Sequence, residues 1–274
     1  MPKEKPELSD AMRKKLSGSS REKKPINGTK FTIAISSAKG GVGKSTFATN
    51  LALALKQNGC KVGLLDADIY GPSIPKMFGI NEKPKSDGQK LETIIKYDIQ
   101  CMSIGFLADE KTPMIWRGPM VTSAIKTFTQ QVNWKDLDFI IVDMPPGTGD
   151  AQLTFSQGIE MDGAIIVSTP QEVALLDVKR GIKMFDKLNV KVLGLIDNMS
   201  FFVGDDGKKY NIFGEGGVKK TAEEFNKEFF AEIPIDPNVG KFGDQGKPIV
   251  ESDPNNEISQ IYINLAKKIK SIYF

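Results

Sequence analysis

The sequence predicts an α/β fold built on a doubly wound, mostly parallel sheet, and three observations carry that prediction. Short apolar runs of strand length alternate with segments of helical periodicity from residue 31 onward. Seven such runs stand in one series with no internal repeat. A glycine-rich loop joins the first run directly to a helical stripe, the strand–loop–helix order in which such loops work.

Taken in order, residues 1–29 are rich in Lys, Ser, Pro and Gly and too short for a core, so they read as a flexible basic arm. Within it Leu8, Met12 and Leu16 share helical spacing, enough for two turns that form on a partner. The predicted strands are 31–36, 61–66, 99–106, 138–144, 163–169, 190–197 and 229–235. Helices are predicted over 44–58, 119–132, 172–188 and 216–226, the first with Phe47, Leu51 and Leu55 on one stripe and Gly59 as its stop. Residues 81–90 are polar and read as a surface loop. A last helix over 255–274 carries Ile258, Ile261, Leu265, Ile269 and Ile272 at spacings of three and four. That stripe reads as the packing face of a closing helix; with Lys267, Lys268 and Lys270 it would also suit an anionic membrane surface. Residues 30–274 thus form one domain behind the arm.

At 274 residues and 40% hydrophobic content the chain can bury a large core. Its charge is uneven: the first thirty residues hold nine basic and four acidic side chains, the remaining 244 hold 28 and 30. The body therefore predicts no nucleic-acid partner. Two cysteines, Cys60 and Cys101, are too few for a disulfide scaffold; Cys60 is read at the beginning of one strand and Cys101 within another, both where a small hydrophobe fits. With no signal-peptide pattern and no apolar run of membrane-spanning length, the expectation is a cytoplasmic protein without a membrane span.

The loop reads Ala38-Lys39-Gly40-Gly41-Val42-Gly43-Lys44-Ser45-Thr46. Its glycines let successive backbone N–H groups point inward to cradle phosphate oxygens, aided by the positive end of the following helix. Lys44 is placed to bridge the β- and γ-phosphates of ATP, Ser45 to ligate Mg²⁺, and Thr46 to donate to the α-phosphate. A further carboxylate is supplied by Asp143, which follows the apolar run 139–142 as the acid ordering the metal shell, through water. Asp66 and Asp68 end the second strand; alternation predicts that both face one site, one positioning the attacking water and the other supporting the metal or the lysine. The segment 144–150, "MPPGTGD", is stiff and then flexible, as a switch that senses the γ-phosphate should be.

With these residues in view, "AKGGVGKST", "LLDADIYGPSIPKMFG", "MIWRGPM", "DFIIVDMPPGTGDAQL", "DNMSFF" and "IFGEGG" together resemble the Mrp/ApbC branch of the deviant Walker A P-loop ATPases, related to MinD and ParA. The resemblance runs from about residue 31 to the end of the chain. It implies a nucleotide-sandwich homodimer with slow, dimer-dependent ATP hydrolysis, and gives Lys39 the role of reaching the partner subunit's phosphates. It makes Asp68 the water-positioning residue with Asp66 beside it, Asp143 the Walker B acid, and Asn198 a contact to adenine.

The resemblance also implies a part in iron–sulfur cluster assembly or transfer to client proteins, through a Cys-x-x-Cys pair just after the "NMS" segment. Thiolates suit that task as soft, strongly donating ligands for iron. Here the stretch 201–208 reads FFVGDDGK, with Gly204 and Gly207 at the pair's spacing and no cluster ligand identifiable. A second reading is therefore a nucleotide-gated switch that docks partners through 200–210, where Phe201, Phe202 and Tyr210 stand beside two aspartates; the same stretch also reads as a β-hairpin turning at Asp206-Gly207.

Overall fold

A computed structural model describes residues 23–107 and 118–274. The helical spacing noted within the arm, and residues 114–117 of the "MIWRGPM" segment, lie outside the described residues. The elements run β1 (Thr29–Ser36), α1 (Lys44–Gln57), β2 (Val62–Asp66), α2 (Ile74–Met77), β3 (Leu91–Glu92), β4 (Ile94–Lys96), β5 (Ile99–Ser103), α3 (Gly118–Lys126), β6 (Val132–Asn133) and β7 (Leu137–Asp143). They continue with α4 (Asp150–Gly158), β8 (Gly163–Ser168), α5 (Glu172–Lys187), β9 (Val192–Val203), β10 (Lys209–Tyr210), α6 (Gly217–Glu224), β11 (Phe229–Ile235), α7 (Pro237–Asp244), α8 (Ile249–Ser252) and α9 (Glu257–Tyr273).

All seven predicted strands form, and they pair in parallel in the order β11-β9-β8-β1-β7-β2-β5. Two short antiparallel additions, β4 beside β5 and β10 beside the end of β9, complete the sheet. Because β1 lies between β8 and β7, successive crossovers run outward from it in both directions, and its carboxyl end is the point where a ligand crevice opens. Most residues of β1, β2, β7 and β8 are buried, since helices cover both faces.

One apolar core lies between the sheet and α1, α8 and α9, and the other between the sheet and α3 to α6. The closing-helix reading of the C-terminus holds: Ile258, Leu265 and Ile269 are buried, Phe47 meets Tyr262 at 5.6 Å, and the Lys270 ammonium donates to the Asn58 carbonyl. The apolar stripe is thus taken up by α1, and only Ile272 of the five residues is exposed. Among the described residues no helix is long and apolar enough to cross a membrane.

Several elements differ from expectation. Residues 23–28, read as the end of the arm, are docked: Ile26 is buried, and Lys24 pairs with Ile159 as an isolated bridge. The helix expected over 119–132 loosens at Lys126 into a turn of π-helix, and α4 was not anticipated. Its inward face is partly polar, with Gln152 and Ser156 buried beside Ala151 and Phe155, so its apolar periodicity is too weak to read. A further difference is β9, which continues past residue 197 to Val203 and turns back through Gly204–Lys208, so 200–210 forms a β-hairpin.

Candidate functional site

The glycine loop leaves β1 at its carboxyl end and enters α1. Ser37 anchors it twice, its hydroxyl donating to the Lys39 carbonyl (2.9 Å) and its carbonyl accepting from the Gly147 N–H (2.8 Å). That second bond ties the loop to the 144–149 segment following β7, so the predicted switch and the loop are in direct contact. Gly41 and Gly43 take positive φ, 79° and 83°, which favours glycine over any residue with a Cβ. Gly43 is also the N-cap of α1 and offers no side-chain acceptor, so the first-turn N–H groups of the helix are left to an incoming anion.

Asn198, on β9 just past the last residue that pairs with β8, donates its amide to the Val42 carbonyl at 2.7 Å. A Cβ built on Gly43 would come within 2.3 Å of the same Asn198 nitrogen, so loop and asparagine pack as one surface. The structure thereby brings Ala38, Lys39, Gly40, Gly41, Val42, Gly43, Lys44, Ser45, Thr46 and Asn198 to one crevice.

Lys44 is buried, and its ammonium lies 2.6 Å from Asp143 Oδ1, 3.3 Å from Asp68 Oδ2 and 3.4 Å from Ser45 Oγ. Burial works against its charge, but the carboxylates of Asp143 and Asp68 outweigh that and hold the ammonium above its ordinary value. Asp143 is pushed up by burial, against the pull of Lys44 and a hydrogen bond from Ser45. Its second oxygen, Oδ2, is buried without a partner. A carboxylate with one orphaned oxygen beside a serine hydroxyl is the donor set a hydrated Mg²⁺ takes, so the residues present fit that ion.

The two acids of β2 part company. Asp66 pairs in register with Asp143 but turns its oxygens to the Ile74 and Asp68 N–H groups and the Ser103 hydroxyl, at 3.1–3.2 Å. Burial, reinforced by the nearby Asp143 charge, pushes its carboxyl up to about 7. It makes no ion pair with Lys44 and stands as the brace of the β2–α2 turn. Both acids lie beside Lys44, but only Asp68 pairs with it directly, because β2 ends at Asp66 and strand alternation no longer governs the residue two positions on.

Lys39 is held within its own chain, its ammonium donating to Gln171 Oε1 at 2.8 Å, and Gln171 is the N-cap of α5. Sequence reasoning missed Gln171, Ser103 and Gln152, whose amide donates to the Ser36 hydroxyl beneath the loop. For Gln171 a usable signal existed, since it lies just past a predicted strand at the carboxyl edge where the loop also sits; Ser103 and Gln152 carry none. Cys60 and Cys101 are both buried and free; Cys101 lies in β5 as expected, whereas Cys60 stands in the turn between α1 and β2, two residues before the strand begins.

Three comparisons bear on this arrangement. The model of the ParA-type family described as NUBPL iron-transfer P-loop NTPase matches residues 28–270. An iron–sulfur cluster carrier protein of Aquifex aeolicus is 47% identical over 254 residues, 91% of this chain and 70% of the relative. The iron–sulfur cluster transfer protein NUBPL of Mus musculus is 46% identical over 252 residues, 90% of this chain and 79% of the relative. Among solved structures, a nucleotide-binding protein of Archaeoglobus fulgidus in complex with ADP superposes with a TM-score of 0.74 at 39% identity, over 83% of this chain and 90% of that one. The cell division ATPase MinD of Pyrococcus furiosus shares the fold, with a TM-score of 0.68 at 20% identity over 88% of this chain and 99% of its own. Glycine loop, carboxyl-edge crevice and these matches agree: the chain belongs to the NUBPL iron-transfer family of ParA-type P-loop NTPases.

Proposed function

We propose that this protein is a Mg²⁺-dependent, homodimeric ATPase that drives iron–sulfur cluster assembly or transfer, and that it does so without holding a cluster on thiolates of its own β9–β10 hairpin. The observation that carries the ATPase reading is the buried Lys44 ammonium on Asp143 and Asp68 at the foot of the glycine loop. Those carboxylates hold the ammonium where the β- and γ-phosphates arrive, and the phosphates take it over as stronger partners. Released from Lys44, Asp143 is free to order the metal shell with Ser45, and Asp68 to orient the attacking water. Bound Mg²⁺ supplies charge neutralisation on the phosphate oxygens. Lys39, let go by Gln171, crosses to the phosphates of a second subunit, which makes turnover depend on the dimer.

The hairpin supports the absence of carriage there. Gly207 takes φ 74° in the turn, Gly204 and Lys208 close it with a backbone hydrogen bond of 2.9 Å, and Asp206 accepts from the Tyr210 hydroxyl. The turn is complete on its own hydrogen bonds and contains no soft ligand. A nucleotide-gated docking function is favoured by one observation: Val203, Tyr210 and Ile212 are exposed together on this hairpin and the segment after it.

Anaerobic reconstitution with iron and sulfide, run beside ATP-dependent light scattering and phosphate release, tests the proposal. The expected result is ATP-dependent dimerisation and slow phosphate release, with no chromophore of a bound cluster. A cluster retained by the wild-type chain would overturn the absence of carriage, and hydrolysis at full rate by a strict monomer would overturn the dimer.

A further inference from the structure

A cavity of about 160 Å³ lies beneath the hairpin, lined by Asp197, Ser200, Phe201, Lys209, Glu215 and Glu232 among others. It belongs to neither the glycine loop nor the crevice above it. Asn198 turns toward Val42, while its neighbour Asp197, on the opposite face of the strand, lines the wall of the cavity. Asp197 is 1% exposed, and neither of its carboxylate oxygens has a hydrogen-bond partner. In register beside it on β11 stands Glu232.

An ionised carboxylate buried with no donor and no counter-ion is among the costliest arrangements a protein can hold. Burial, with the Glu232 charge added, pushes the Asp197 carboxyl up to about 7. The one ammonium lining the cavity does not relieve it: Lys209 lies over the Phe201 ring at 4.2 Å from its centroid, and among the described residues it forms no ion pair with Asp197, Glu215 or Glu232. Three carboxylates against one ammonium leave the cavity negative.

The donors are all oxygen, and Ser200, whose hydroxyl donates to the Ile233 carbonyl, keeps its lone pairs free. Oxygen-only donor sets select hard cations over soft ones. Space for roughly five waters, at ~30 Å³ each, is enough for an ion that keeps part of its hydration shell. Mg²⁺ keeps several waters and is held through one or two carboxylates, a demand that Asp197 and Glu232 together meet.

We propose that this cavity is a binding site for a hydrated divalent cation of the Mg²⁺/Mn²⁺ class, anchored by Asp197 and Glu232 and distinct from the ion that accompanies the nucleotide. The site assigns Asp197 a role that no feature of the glycine loop requires.

The test uses Mn²⁺ as the probe, titrated by electron paramagnetic resonance into the full-length, nucleotide-free protein at a pH of about 8, above the Asp197 titration. The expected result is one Mn²⁺ bound per chain, displaced by Mg²⁺, retained in Asp143→Asn, and weakened at least about tenfold in Asp197→Asn and in Glu232→Gln. Glu232→Gln alters an exposed strand position and keeps the fold, so it decides the matter if Asp197→Asn does not express. Thermal unfolding gives an independent readout, with Mn²⁺ raising the midpoint of the wild type and of neither cavity variant. Free Mn²⁺ signal throughout the titration to millimolar concentration would overturn the proposal. Binding that disappears in Asp143→Asn and survives in Asp197→Asn and Glu232→Gln would overturn it equally.

Discussion

Replacing Lys44 with Met removes the one cation among three buried acids, and the consequence reaches beyond nucleotide binding. Its ammonium stands 2.6 Å from Asp143 and 3.3 Å from Asp68, with both carboxylates buried. At an effective dielectric of ~20 those separations correspond to about 6 and about 5 kcal/mol of attraction. The ammonium's own dehydration opposes this, and removal of one partner from a buried pair costs a net ~3–5 kcal/mol. That is a large part of the ~5–15 kcal/mol that stabilises a domain. The sign with pH follows. In Lys44→Met the folded-state carboxyls of Asp143 and Asp66, already raised by burial, rise further above their unfolded values. Stability is then greatest below the unfolded carboxyl value and is lost as pH rises through the folded ones. Urea unfolding of both proteins at about pH 5 and about pH 8, without nucleotide, reads this out as a loss that is small at the lower pH and approaches ~3–5 kcal/mol at the higher. Asp143→Asn placed on Lys44→Met restores a large share of it. Equal stabilities at the higher pH, or a loss independent of pH, would refute the reasoning.

The remaining expectations follow from contacts already described. Asp197 faces Glu232, Glu215 and Lys209 and titrates near 7 in the folded chain. In chelator-treated protein, wild-type stability therefore falls as pH rises from about 4 to about 7, while Asp197→Asn flattens that part of the profile in urea melts. Gln171→Ala frees Lys39 from a 2.8 Å hydrogen bond worth ~1 kcal/mol in each subunit, ~2 kcal/mol per dimer, so ATP-dependent dimerisation measured by light scattering tightens by about thirtyfold. Lys39→Ala keeps nucleotide affinity in a fluorescent-nucleotide titration but loses ATP-dependent dimerisation and hydrolysis; turnover retained by that variant as a monomer counts against the cross-subunit role. Gly43→Ala drives a Cβ to 2.3 Å from Asn198 at a φ of 83°, so nucleotide binding is lost by calorimetry, and adding Asn198→Ala relieves the clash but not the backbone strain.

Much of the fold was legible because its signals are local. Seven strands and five helices announce themselves through apolar runs and three-to-four spacing, and the glycine loop through residue types that only a phosphate cradle needs in that order. The clustering of loop, Lys44, Asp143 and Asn198 follows from topology, since parallel strands deliver every carboxyl end to one edge. Helix α4 escaped because two of its inward residues are polar, and β9 ran longer than read because "SFFV" holds a strand and a loop equally well until β10 pairs with it.

Residue types along the chain set the chemistry on offer: a phosphate loop with two lysines, acids at strand ends, and glycines where a thiolate pair would stand. Tertiary structure alone decided which partner each group takes. Asp66 and Asp68 are two residues apart, yet one braces a turn and the other meets Lys44, because β2 ends between them. Lys39 rests on Gln171, 132 positions away. Asp197 became notable only once folding had buried it beside Glu232 with neither donor nor counter-ion. Charge and hydrogen-bonding capacity belong to a residue, whereas desolvation and pairing belong to its surroundings, and only the packed chain supplies those.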